Sequence, residues 1–362
     1  MASPGPYSVS LVVIVRDGAG TLPRLLDSVR PWVDRMFVVD TGSTDGTPAL
    51  AAAHGAEVEH FEWCDDFSAA RNAALDMAGA DWHLVLDADE WLISGGAFLQ
   101  GLRASPPVQV GVLQFEDVFG SAPDQKACHW ISRLLPGPVR YSGRVHEQPV
   151  HELPTRRMPV RIGHDGYMPA ALQSKRGRNR QLLQQALCRD PGDAYLQYQL
   201  GKDLAVYGEH ASATDHFARA VERAPAAAPW LADLMARLLY SMKSAGRHED
   251  GLRRLLTELE GRVDTPLADS PDVFFALGDL LLDWAASEPE FAAVRLDQAE
   301  AAWLRCLEIG ERPDISGSVP GRGSHLAAFN LALVYEGRGR AEEARRLREA
   351  HGLPLGDLMR SS

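Results

Sequence analysis

An α/β domain with a mostly parallel sheet, followed by an all-α repeat domain, is the architecture this sequence predicts. Three observations predict it. The first half alternates short apolar runs with helical stretches. One of those runs, Trp82 to Leu86, ends in the acidic sequence Asp87-Ala88-Asp89-Glu90. The second half repeats a small/large residue pattern at helical spacing. Repeated βα units with short connections imply a sheet with helices on both faces.

Val9–Val15 is expected as the first strand, followed by a helix over 22–29 and a strand over 35–40. A helix over 47–54 opens at the Thr44-Asp45-Gly46-Thr47 turn, and 57–61 reads as a strand. Residues 67–77 form a helix whose Phe67, Ala70, Ala74 and Met77 share one face. Trp82 to Leu86 has the length of a buried parallel strand and no helical period. From Val108 to Val160 the pattern turns β-rich and irregular. Composition then shifts near Pro169, so domains are expected at 1–170 and 171–362.

The second half matches a tetratricopeptide repeat at Leu200-Gly201, Ala213, Phe217, Ala220 and Pro225. Weaker copies read Leu277-Gly278, Ala299, Trp303, Cys306, then Leu331-Ala332, Tyr335, Ala344. A degenerate helix pair is expected over 230–259. Small residues let paired helices approach, and large ones fill the gap between pairs.

The 362 residues are 45% hydrophobic and 24% charged, with a formal net charge of −12. An acidic chain of this kind is a poor nucleic-acid binder. The four cysteines (Cys64, Cys128, Cys188, Cys306) are dispersed, which fits a reducing compartment and no structural zinc. Val9–Val15 lacks a basic leader and is followed by Arg16-Asp17, so it reads as a strand and not as a signal peptide. No run reaches the length of a membrane span. A cytoplasmic location is expected.

The acidic strand end carries the chemistry. Two carboxylates at a strand tip reach the carboxyl edge of the sheet, where open α/β folds bind ligands. At about 4 Å and an effective dielectric of about 20 they repel by roughly 4 kcal/mol. A cation between them relieves this, and hard oxygen ligands favour magnesium, manganese or calcium. The second strand ends in Asp40-Thr41-Gly42-Ser43-Thr44-Asp45-Gly46, an acid and turn suited to a nucleobase edge and ribose. Ala70-Arg71-Asn72 places a cation on the intervening helix, either to contact a nucleotide or to brace Asp40 or Asp87.

These three motifs, in this order and spacing, resemble the inverting family 2 glycosyltransferases of GT-A fold. Arg133-Leu134-Leu135, the Tyr141–Glu147 segment with His146-Glu147, and Ile162-Gly163-His164-Asp165-Gly166-Tyr167 resemble further elements of one bacterial subgroup. That subgroup joins the catalytic domain to tetratricopeptide repeats and includes peptide S- and O-glycosyltransferases. One departure stands out: an Asn-Glu pair usual after the first strand is replaced by Arg16-Asp17.

The resemblance implies a nucleotide-sugar donor, a UDP-sugar first, with a divalent ion (Mn2+ or Mg2+) at Asp89, and Asp87 near the ribose or the metal. His164 is a third candidate ligand, set against a structural role. Asp40, Asp45, Arg71 and Asp87 are the expected donor-binding residues. Inversion needs a base opposite the leaving group. Glu147 is the first choice, with Asp117 and Glu116 behind it. The acceptor implied is a peptide or protein Cys, Ser or Thr, and the repeat domain would serve acceptor binding, homodimerisation, or both.

Other motifs fail on inspection. His146 and His151 are five residues apart with Pro149 between them, so they make no helical zinc pair. Gly18-Ala19-Gly20 meets Pro23 where a dinucleotide loop needs glycine. The basic cluster Lys175–Arg180 reads first as a solvated helix start. Two alternatives stay open: a saccharide acceptor such as lipopolysaccharide, and a non-catalytic repeat scaffold with an inactive transferase domain.

Overall fold

A computed structural model of the chain describes residues 5–118, 126–165, 177–261 and 265–354. It divides into two compact units, the first reaching Leu182 and the second beginning at Leu183 but also taking in Lys126–Cys128. The boundary expected at 170/171 lies outside the described residues.

The first unit is built on an eight-stranded mixed sheet. Its elements begin β1 (Val9–Val15), α1 (Leu22–Val29), β2 (Arg35–Asp40), α2 (Thr47–Ala53), β3 (Glu57–His60), α3 (Phe67–Ala78) and β4 (Trp82–Val85). They continue with β5 (Glu90–Ser94), α4 (Gly96–Gly101), β6 (Val110–Val118), β7 (Lys126–Pro136), β8 (Arg140–Ser142), β9 (Gln148–Val150) and β10 (Thr155–His164). Strand order is β3-β2-β1-β4-β7-β6-β10-β5, and β8 and β9 form a separate two-stranded ribbon.

Alternation in the buried strands assigns the two faces. Leu11, Val13, Val15, Val38 and Leu84 pack with Leu22, Leu25, Leu26 and Val29 of α1. Val12, Ile14, Phe37, Val39 and Val85 pack with Ala70, Ala74, Leu75 and Ala78 of α3. Both sides of the central strands are therefore closed, as a continuous apolar run requires.

Parallel pairing holds for β3, β2, β1 and β4. It stops at β4, whose other neighbour β7 is antiparallel, pairing His83 with Leu135. The short strand β5, hidden in the acidic motif, turns back and pairs antiparallel with β10 at the sheet edge. Polar Glu90 and Ser94 concealed it from a hydrophobic reading. β10 also runs parallel to β6, in a register that sets His164 beside Asp117. The β-rich stretch after Val108 thus supplies the second half of the same sheet.

The second unit is helical. It contains α5 (Arg178–Arg189), which spans the boundary, then α6 (Ala194–Val206), α7 (His210–Arg223), α8 (Leu231–Ser244) and α9 (His248–Gly261). α10 (Pro271–Ser287), α11 (Ala292–Ile309), α12 (His325–Gly337) and α13 (Ala341–Ala350) follow. From α6 onward successive helices pack as pairs. The small/large pattern is realised as direct contact. A Cβ on Gly201 of α6 would stand 2.5 Å from the Phe217 ring of α7, and one on Gly278 of α10 would stand 2.5 Å from the Trp303 indole of α11. Phe217 and Trp303 are fully buried. The degenerate pair expected over 230–259 is α8 with α9.

Candidate active site

The acidic pair sits in the turn between β4 and β5, at the carboxyl end of the parallel strands. Its two carboxylates have different fates. Asp87 Oδ1 accepts from Arg71 Nη2 of α3 at 2.5 Å, and Oδ2 from Arg133 Nη2 of β7 at 2.8 Å. Its main-chain N–H donates to Glu90 Oε2 at 2.7 Å, and Arg133 reaches Glu90 Oε1 at 3.4 Å. Arg71 also donates through Nε to Glu147. Repulsion around Asp87 is thus relieved by two guanidinium groups, where the sequence suggested a shared cation. Arg71 braces Asp87 and Glu147, and not Asp40.

Charge follows from these contacts. Burial disfavours the ionised Asp87 carboxyl, but Arg133 and Arg71 outweigh it and hold the group well below the usual range. Glu90 lacks such compensation. Burial, with Asp87 adding to it against the pull of Arg133, pushes it up to about 7. Arg71 is itself buried, and its Nη1 has no hydrogen-bond partner among the described residues. Its guanidinium lies 5.6 Å from the centre of the buried Tyr141 ring.

Asp89 points elsewhere. Its Oδ2 lies 3.6 Å from His164 Nε2, and His164 Nδ1 bonds Asp117 Oδ1 at 2.8 Å. Asp117 Oδ2 lies 3.2 Å from His129 Nε2. The order Asp89, His164, Asp117, His129 therefore crosses four segments: the turn, β10, β6 and β7. Burial would lower the His164 pKa, but hydrogen bonds to Asp117 and Asp89 outweigh it and raise it to about 10. A proton on this imidazole serves as the positive charge between two carboxylates.

Among the described residues, no group of three or more His, Cys, Asp or Glu is gathered as a metal cage. The donor set of Asp89 and His164 nonetheless fits a divalent ion. Asp117 accepts at Nδ1, which leaves Nε2 facing Asp89 as the ligating atom, the arrangement in which a carboxylate orients a metal-bound histidine. An ion there would replace the imidazolium proton. Asp87, committed to two arginines, is the weaker candidate ligand of the pair.

The expected base-recognition turn is intact but inwardly satisfied. Asp40, at the tip of β2, is 5% exposed and accepts from the N–H groups of Gly42 and Ser43 at 3.1 Å. Burial opposes its ionisation, while the Ser43 and Gly42 bonds lower its pKa. Its Oδ2 lies 3.6 Å from His60 Nδ1. Asp45 accepts from Ala19 N–H at 3.0 Å and from the Thr47 hydroxyl at 2.5 Å, tying the β1–α1 loop to the start of α2. Gly46, at φ +84°, makes that start possible. The unusual Arg16-Asp17 finds a purpose here. Asp17, at φ +53°, accepts from Thr44 N–H at 2.7 Å and so braces the same turn.

Among the base candidates, Glu147 is held by Arg71, Asp117 by two imidazoles, and Glu116 is buried in an ion pair with Arg161. Arg133, Glu90 and His129 were given no role from sequence. A signal existed: His129 and Arg133 are four apart on β7, hence on one face, and Glu90 adjoins the aspartates. Gly166, Tyr167, Lys175 and Arg176 lie outside the described residues.

Residues 10–102 match the family model for glycosyl transferase family 2. A TPR repeat-containing protein of Synechococcus elongatus is 40% identical over 220 residues, covering 56% of this chain and 53% of that one. The SPbeta prophage-derived glycosyltransferase SunS of Bacillus subtilis is 24% identical over 227 residues, covering 59% and 53%. The chain spans about half the length of these curated relatives. A solved mannosyl-3-phosphoglycerate synthase from Rubrobacter xylanophilus is 26% identical with a TM-score of 0.27, covering 33% of this chain and 44% of that one. Residues 10–102, within the GT-A-like sheet of the α/β unit, are thus a glycosyl transferase family 2 domain, carried on one chain with a helical array of tetratricopeptide type.

Proposed function

We propose that the chain transfers a sugar, with inversion, from a nucleotide-sugar donor (a UDP-sugar first) to a peptide or protein Cys, Ser or Thr side chain. One observation supports this above others: an acidic residue and a histidine, Asp89 and His164, face each other at the carboxyl edge of a family 2 sheet, beside a pair of arginine-bound acids. The peptide acceptor is argued from the adjoining repeat unit, since helical repeats offer extended surfaces to peptides.

In this reading Asp40 and Asp45 shape the turn that receives the nucleoside. Asp89 and His164 would hold a magnesium or manganese ion, whose chemistry when bound would be neutralisation of charge on the leaving diphosphate. Asp117 accepts the hydrogen bond from His164 Nδ1–H and fixes the ring. Arg71 and Arg133 keep Asp87 rigid at the floor of the site. Glu147 is the proposed base, fixed by Arg71 and taking the acceptor proton as the acceptor atom closes on the anomeric carbon. A cysteine acceptor asks least of it, because a thiol ionises near 8.5.

The test is nucleotide release from UDP-, GDP- and dTDP-sugars with manganese, magnesium or EDTA, with and without candidate peptides. Metal-dependent release that Asp89→Ala abolishes, and transfer that Glu147→Gln abolishes while donor binding persists, is the expected result. Release by Asp89→Ala at the wild-type rate would remove the metal site. Transfer only to a saccharide would remove the peptide acceptor.

A further inference from the structure

In the helical unit, the segment between α11 and α12, residues 310–324, folds back onto the leading helices α8 and α10. Its contacts are those of a bound ligand. Arg322 Nη1 donates to Asp272 Oδ1 at 2.8 Å, and the Val319 main-chain N–H donates to the same oxygen at 3.0 Å. The Arg322 guanidinium carbon lies 5.3 Å from the Tyr240 ring centre and 5.4 Å from that of Phe275. Gly317 lies against Asp233, where any side chain would collide.

The receiving surface is more acidic than one arginine requires. Asp272 is 3% exposed, and its Oδ2 is buried with no hydrogen-bond partner among the described residues. Burial raises the pKa of Asp272 and of Asp279, with Arg322 acting against it at both and Lys243 at Asp279. A carboxylate facing a guanidinium ordinarily takes two parallel bonds. Here the resident arginine makes one, so a better-placed guanidinium has an acceptor waiting. Two aromatic faces beside two acids favour a planar guanidinium over an ammonium.

We propose that this face of α8 and α10 is a recognition site for an arginine side chain in an extended peptide, filled in the isolated chain by its own Arg322. The Val319 contact adds a main-chain donor to what the site reads, which favours a peptide over free arginine. The tethered segment competes at an effective concentration on the order of millimolar, so the intact chain binds such a peptide weakly until the segment is displaced. The site is independent of the sugar-transfer reading.

The probe is the capped peptide acetyl-Val-Pro-Gly-Arg-Gly-amide, which keeps the Val319-to-Arg322 spacing, with the lysine counterpart as control, titrated calorimetrically into wild type and Arg322→Ala. Arg322→Ala should bind the arginine peptide at least tenfold more tightly than wild type and at least tenfold more tightly than the lysine peptide. The added change Asp272→Asn should abolish that binding. Equal binding by wild type and Arg322→Ala, or equal binding of the two peptides, overturns the proposal. If Arg322→Ala does not fold, Arg322→Lys keeps a cation without the planar fork and must show the same arginine preference, or the site is refuted. In wild type, saturating arginine peptide should speed amide exchange of residues 310–324, and an unchanged exchange pattern also counts against it.

Discussion

The charged cluster of the α/β unit and the helix pairs of the other unit are held by different kinds of contact. In the α/β unit, Arg71, Asp87, Arg133 and Glu147 draw together residues 16 to 76 positions apart into a charged cluster. In the helical unit, paired helices meet glycine to ring, Gly201 against Phe217 and Gly278 against Trp303. Burying charge is costly and seldom the best route to stability. Ring-on-glycine packing is a direct route to it. The difference separates a region organised for chemistry from one organised for regular stacking.

Breaking the charged cluster should have the largest effect. Arg71→Ala leaves Asp87 and Glu147 without their shared partner, and a loss of about 3–5 kcal/mol is expected in denaturant unfolding. Arg71→Lys should recover part of the stability but not the geometry. An Arg71→Ala protein as stable as wild type would show the cluster to be looser than it looks.

Acid should act on the sheet unit next. His83 is buried on β4, and its Nε2 accepts from the Ala80 N–H at 3.1 Å. Burial, reinforced by Arg140, holds its pKa down to about 4. Between pH 6.5 and 4 the unfolded chain therefore binds a proton that the folded one refuses. Stability is present above pH 6.5 and falls as pH drops to 4, by about 3 kcal/mol. His83→Gln should flatten that part of the curve, and an unaltered slope would assign it to other groups.

Overpacking tests the helical side. Gly201→Ala or Gly278→Ala forces a methyl into an aromatic ring and should cost about 1–3 kcal/mol. Nucleotide release by the sheet unit should be unchanged, which sharpens the contrast between the units. A stabilising alanine would mean the rings shift freely.

The smallest expected effect comes from helix caps, where the two units should behave alike. Asp66 Oδ1 accepts from Ala69 N–H at the start of α3, and Asp193 caps α6 the same way. Either change to alanine should cost about 1 kcal/mol. A much larger loss at Asp66 would tie α3, and with it Arg71, more closely to the site than capping alone.

Much of this was legible in the chain. The parallel strands β1, β2 and β4 are written as apolar runs, and the glycine and aromatic spacing names the helix pairs. The motif residues Asp40, Asp45, Arg71, Asp87 and Asp89 do lie at the carboxyl edge or on the helix beside it. Partnership was not legible. Nothing in local spacing says that Arg133 of β7 will reach Asp87, because that depends on β7 pairing antiparallel with β4, a long-range choice. Likewise the link from Asp117 to His164 follows from the register of β6 with β10. β5 escaped notice because a short edge strand with polar ends carries too little alternation to read.

The double arginine grip on Asp87 changes how inactive variants should be chosen and interpreted. Replacing the first aspartate of such a motif is a familiar way to make a control that binds nothing. In this chain Asp87→Asn would strip the counter-charge from two buried guanidinium groups and loosen α3 from β7 at once. A silent Asp87 variant would report a disturbed scaffold as readily as a missing ligand. Asp89 stands outside that grip, so its replacement leaves both guanidinium groups paired with Asp87.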